Sequence, residues 1–150
     1  MDPLLAAVAL AGLVAVSALV GLFWRARDGR VRVAKEPASS GVYRAADFDG
    51  TVSFADRATL VQFSTEYCSR CPSTERMLRS VASSHSGVGV AVVDLTARQD
   101  LATRFRVAQT PTVLVLDRDG RELARSGGAP QRAAIEAVLT PLTRSRHVAH

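Results

Sequence analysis

The stretch Leu60-Val61-Gln62-Phe63-Ser64-Thr65-Glu66-Tyr67-Cys68-Ser69-Arg70-Cys71 decides how the chain is read. A β-branched and aromatic run passes into Ser-Thr-Glu and then delivers two cysteines two residues apart, the pattern of a strand feeding a helix N-terminus through a reactive turn. These are the only two cysteines among 150 residues. With no third or fourth Cys and no His beside them, a closed tetrahedral zinc site within one chain lacks ligands, and dithiol or disulfide chemistry is the simpler reading. The motif alone leaves two other readings open, a chance pair of buried thiols and half of an intermolecular metal site.

The thiolate is the nucleophile, and a cysteine in the first turn of a helix has its charged form stabilised by unpaired backbone N–H groups and the positive end of the dipole. Cys68 is expected where that turn begins, with Cys71 one turn on, behind it, placed to attack a mixed disulfide that Cys68 makes with a substrate. Pro72 follows at an early helical position, where its missing N–H costs little. Arg70 puts a permanent positive charge near both sulfurs, favouring thiolate and reduced dithiol, so a low-pKa Cys68 is expected.

With these residues the chain resembles the thioredoxin family over about residues 45–142. Leu60 to Phe63 followed by Tyr67-Cys68-Ser69-Arg70-Cys71 is similar to that family's central strand and active-site turn. Phe105 to Asp117, through Gln109-Thr110-Pro111-Thr112, is similar to its helix, cis-proline loop and next strand. Asp117-Arg118-Asp119-Gly120 matches the hairpin turn, and Gly127-Gly128-Ala129-Pro130 the approach to the last helix. The resemblance implies a thioredoxin-like α/β fold, a central mixed sheet flanked by helices. It also implies a cis Thr110-Pro111 peptide lying against the cysteines, with the Thr110 backbone offering strand-like hydrogen bonds to a substrate segment.

The chain departs from the family pattern at four places. Tyr67 stands for the usual tryptophan, and Ser69-Arg70 for the usual Gly-Pro between the cysteines. The family's buried acidic residue falls on Gln62, and the lysine that often faces it falls on Val92. Loss of both halves of a buried charge pair leaves no orphan ion. It does remove the group thought to take the proton from the second thiol, and an amide cannot serve as that base.

Before this region, Pro3 to Trp24 is a run of twenty-two uncharged residues in which Ser17 is the only polar one outside Gly and Pro. That length suffices for a transmembrane helix, expected at 1–24. Arg25, Arg27, Arg30, Arg32 and Lys35 follow it and no basic residue precedes it. The bias predicts a cytoplasmic domain, with the exported side left open. Residues 25–44 read as a basic arm and flexible linker that lets the domain swing, 45–142 as the domain, and 143–150 as a frayed tail.

The net charge of +5 belongs to the arm and tail, since residues 37–142 carry twelve Lys and Arg against eleven Asp and Glu. A nucleic-acid surface would need a basic stripe with exposed aromatics on the folded part, and none is evident. Within the domain, strands are expected at 59–64, 88–94, 112–116 and 122–125, and helices at about 68–84, 100–106 and 131–139, the last stopping before Pro141. The continuous apolar run Val88 to Asp94 suggests a strand covered on both faces. Residues 42–56 read as a short first strand or as irregular structure packed on the sheet.

The expected function is that of a membrane-tethered thiol-disulfide oxidoreductase needing no cofactor or metal beyond its Cys68-Cys71 disulfide. Its partners would be a cysteine-containing protein substrate and an upstream thiol reductant. Cys68 attacks, Cys71 resolves, Tyr67, Thr110 and Pro111 meet the substrate, and Arg70 tunes the thiolate. The alternative is a non-catalytic, redox-responsive binding module at the membrane, favoured by the missing carboxylate at Gln62.

Overall fold

A computed structural model describes residues 2–27, 30–33 and 41–144. Helix α1 (Pro3–Arg27) leads into β1 (Val31–Val33), and a 3-10 turn (Ala45–Phe48) precedes β2 (Ala58–Ser64). Then come α2 (Cys71–Ser83), β3 (Val88–Asp94), α3 (Gln99–Arg104), β4 (Thr112–Asp117), β5 (Glu122–Gly127) and α4 (Arg132–Arg144). The strands make one mixed sheet in the order β1-β5-β4-β2-β3. β2 runs parallel to β3 and antiparallel to β4. β4 and β1 both lie antiparallel to β5.

The alternation of β2 builds two cores, because successive side chains of a strand point to opposite faces. Val61 and Phe63 join Leu114, Leu116, Leu101, Phe105 and Phe48 on the side of α3 and the 3-10 turn. Ala58 and Leu60 join Val113, Val115, Leu78, Val81, Ile135 and Leu139 on the side of α2 and α4. Each large apolar side chain buried this way contributes about 1.5–3 kcal/mol relative to exposure. In the first core Phe48 and Phe105 stack with centroids 4.4 Å apart. At the β4–β5 turn Gly120 has φ +77°, and a Cβ there would meet the Tyr43 carbonyl oxygen at 2.0 Å, so the turn requires glycine.

The Pro3–Phe23 part of α1 is apolar all round, long and hydrophobic enough to cross a bilayer, and none of that window is buried in the protein. Two expectations need correction here. The region read as arm and linker, 25–44, contributes helix residues up to Arg27 and then β1, whose Val31 pairs with Ser126 and Val33 with Ala124. Three residues are too few to carry a strand signal; the open edge of β5 makes this a strand. The linker portion 34–40 lies outside the described residues, as do residues 145–150 of the tail.

The stretch 42–56 takes the irregular form rather than a strand. Val42 makes one bridge to Arg121, and Phe48 and Val52 are fully buried. Among the described residues β3 pairs only with β2, so it is an edge strand, and its side chains meet both cores, Ala91 and Val93 on one face and Val88 and Val90 on the other, as the apolar run suggested. Pro141 lies inside α4 rather than beyond it. The last turn holds because Arg57 Nη1 donates to the carbonyls of Leu142 (3.3 Å) and Thr143 (2.7 Å), satisfying acceptors that a helix end leaves open.

Candidate active site

Cys68 and Cys71 are joined as a disulfide with Cα atoms 5.4 Å apart. Helix α2 starts at Cys71, not at Cys68 as the sequence suggested, with Arg70 as its N-cap and Pro72 in the first turn. The preceding residues fold into two turns instead. Cys68 N donates to Thr65 O at 3.1 Å, and Cys71 N donates to Cys68 O at 3.2 Å. The Arg70 carbonyl accepts from Thr74 N (3.1 Å), Thr74 Oγ1 (3.0 Å) and Ser73 Oγ (2.9 Å), which anchors the start of α2. The result is an unequal pair. Cys71 is 2% exposed, whereas Cys68 is half-buried in the turn outside the helix.

The second loop approaches from β4. Thr110-Pro111 is a cis peptide. Pro111 is buried, and its carbonyl accepts from Gly128 N at 2.8 Å. Phe63 stands opposite Thr112 in the β2–β4 register, so both loops leave the same end of adjacent antiparallel strands. They touch through the Thr65 and Thr110 hydroxyls, whose oxygens are 3.3 Å apart. The structure thus brings Cys68, Cys71, Thr110 and Pro111 together at one end of the sheet. Thr65 is the member that sequence reasoning missed; its only signal was its place at the end of β2, just before the cysteines.

Tyr67 projects from this surface 85% exposed. A hydrogen bond to Glu66 raises its phenol pKa, with a smaller contribution from desolvation. Arg70 is also exposed. The loop is braced from β3: Glu66 N donates to Thr96 Oγ1 at 3.0 Å, while Thr96 N and Oγ1 donate to Asp94 Oδ1 at 2.8 and 2.5 Å. Those bonds hold the Asp94 carboxyl below its usual pKa.

Beneath the pair lies Gln62, fully buried, with Val113 and Val92 as its register partners on either side. Its Nε2 donates to the Cys71 carbonyl at 3.1 Å, and its Oε1 is buried without a hydrogen-bond partner. Leaving such an acceptor unpaired costs about 1–3 kcal/mol. An apolar groove of about 610 Å³, lined by Val31, Val33, Leu123 and Val138 among others, opens between β1, β5 and α4. Neither cysteine nor Pro111 lines it.

Residues 40–141 match the family model for thioredoxin. The chain belongs to the thioredoxin family. Thioredoxin C-2 of Corynebacterium nephridii is 27% identical over 62% of this chain and 86% of its own length. Mitochondrial thioredoxin of Mus musculus is 31% identical, covering 64% of this chain and 58% of that protein. Protein disulfide-isomerase 2-3 of Arabidopsis thaliana is 28% identical over 73% of this chain, which spans only 25% of that longer protein. Among solved structures, a thioredoxin variant from Halobacterium salinarum superposes with a TM-score of 0.55 at 22% identity. It covers 69% of this chain and 88% of that one, a likeness of fold. As a thioredoxin-family protein with a paired Cys-x-x-Cys, the chain is a thiol-disulfide oxidoreductase.

Proposed function

We propose that this protein exchanges its Cys68-Cys71 pair with cysteines of a protein partner while α1 holds it in a membrane. The observation that carries the reading is the inequality of the two sulfurs beside a cis-proline loop: Cys68 reachable, Cys71 buried. In the reducing direction, the Cys68 thiolate attacks a partner disulfide, forming a mixed disulfide and expelling one partner thiolate. Cys71, deprotonated, then attacks the Cys68 sulfur and releases the second partner thiolate. Two electrons leave the dithiol, two protons go to the partner's thiols, and an upstream thiol reductant resets the disulfide. The pair itself is the redox group.

Thr110 and Pro111 receive the substrate segment, Tyr67 supplies apolar contact area at the rim, and Arg70 favours the Cys68 thiolate. Because Gln62 has no titrating carboxyl, the Cys71 proton leaves to water or to the departing thiolate. The basic residues at and beyond the end of α1 favour a cytoplasmic domain, where the ambient poise favours the dithiol and reduction would be the direction of work.

Reduction of insulin with a supplied thiol reductant tests the chemistry. Turnover requiring both Cys68 and Cys71 supports the enzyme, and activity that survives Cys68→Ala rejects it. The buried amide at Gln62 favours a second reading, a redox-responsive docking module. No insulin turnover, together with a partner bound only in one redox state, would decide for that module. A Cys71→Ser variant should trap a mixed disulfide with the natural partner.

A further inference from the structure

The membrane tether enters the domain at the end of the sheet that bears the cysteines. Val31, the first residue of β1, is in register with Ser126, which pairs with Val113, which pairs with Gln62. β1 is antiparallel to β5, β5 to β4 and β4 to β2, so β1 runs away from the active-site end and its start lies at that end. Four residue steps separate Arg27, the last residue of α1, from Val31. Such a segment reaches at most about 14 Å. Three strand spacings set Val31 about 14 Å to the side of Gln62. The Cys68 loop rises beyond that row in the same direction as the tether, by at least the two residues Phe63 and Ser64, about 7 Å.

With α1 spanning the bilayer and the strands upright, Cys68 therefore stands no more than roughly 15 Å above the hydrocarbon edge. A folded domain of one hundred residues is about 30 Å across. It does not fit between this site and the membrane.

We propose that the preferred substrate is a cysteine pair on a segment immediately flanking a membrane span of an integral membrane protein. Such cysteines lie at the height of Cys68 in the upright pose, and because the tether is short, cysteines carried several tens of ångströms above the bilayer are out of reach. This rests on the membrane-tethered exchange reading above and names the substrate class of the same site.

The test uses the full chain in vesicles with two single-span probe peptides. One carries a disulfide loop directly after its span, and the other carries the same loop on a helical spacer of about forty residues, roughly 60 Å long. The native chain should reduce the near loop at least about tenfold faster than the far loop, as the effective concentration of a tethered partner demands. Inserting about eighty Gly and Ser residues between Arg27 and Val31, a reach of roughly 50 Å, should bring the two rates together while leaving insulin reduction unchanged. Equal near and far rates for the native chain, or a preference that survives the insertion, would overturn the proposal while exchange itself stands. Failure of the underlying reading is distinct: the native chain would not reduce insulin, or alkaline carbonate would strip it from the vesicles.

Discussion

The amide of Gln62 is buried and reaches the backbone carbonyl of Cys71. A neutral amide here adds no pH dependence of its own. Gln62→Asp should change that: burial disfavours the charged carboxylate and raises its folded-state pKa. The folded state then holds its proton more tightly than the unfolded state. Stability should fall by about 1.4 kcal/mol per pH unit as pH rises above about 4, and level off above the raised value. Denaturant unfolding across pH 3 to 9 reads this out, and a flat difference from wild type would contradict it. Thr65 is the second residue whose role emerges only in three dimensions. Thr65→Val removes its hydroxyl contact with Thr110 and should cost about 1 kcal/mol. It should slow exchange with a protein disulfide more than reaction with a small thiol reagent, measured by stopped-flow on both. Equal slowing would mean that Thr65 serves only stability.

Among the elements, the loop that presents the cysteines depends on the end of β3. Asp94 has a depressed pKa, so its bonds to Thr96 are intact above the unfolded carboxylate value near 4 and fail as pH falls through the lower folded value. Protection of the Glu66 amide against hydrogen exchange should drop at acid pH, and Asp94→Ala should remove it at any pH. Across the sheet, Arg125 on β5 donates twice to Glu122 at 2.9 Å and to the Phe105 carbonyl at 2.7 Å, tying β5 to the end of α3. Arg125→Ala strips donors from a half-buried carboxylate and a carbonyl together. The expected loss is about 2 kcal/mol, read as a Tm lower by roughly 10 °C. A shift within a degree would show that solvent already satisfies both acceptors.

For the whole molecule, β1 belongs to the domain rather than to a swinging linker. A chain starting at Asp28 should fold as stably as the domain does in the full protein. One starting at Val42 loses β1, bares the β5 edge and should lose about 1–2 kcal/mol and aggregate more readily. Equal stability and solubility of the two truncations, by thermal unfolding and light scattering, would count against this. Much of the architecture was legible in sequence. The alternation in Ala58 to Ser64, the apolar run Val88 to Asp94 and the Asp-Gly turn each encode their element locally, and the Cys-x-x-Cys pair with Thr110-Pro111 located the site. What escaped were features set by a distant partner. β1 is a strand because β5 offers it an edge, Pro141 stays helical because Arg57 caps the turn that follows, and α2 opens at Cys71 because the preceding turns hold Cys68 outside it. Residue type and spacing alone name the side chains that carry the redox chemistry and announce an apolar helix ahead of the domain. That β1, following α1, begins at the end of the sheet that bears the reactive pair is a property of the folded chain, because strand order and register arise from long-range pairing that no local pattern specifies.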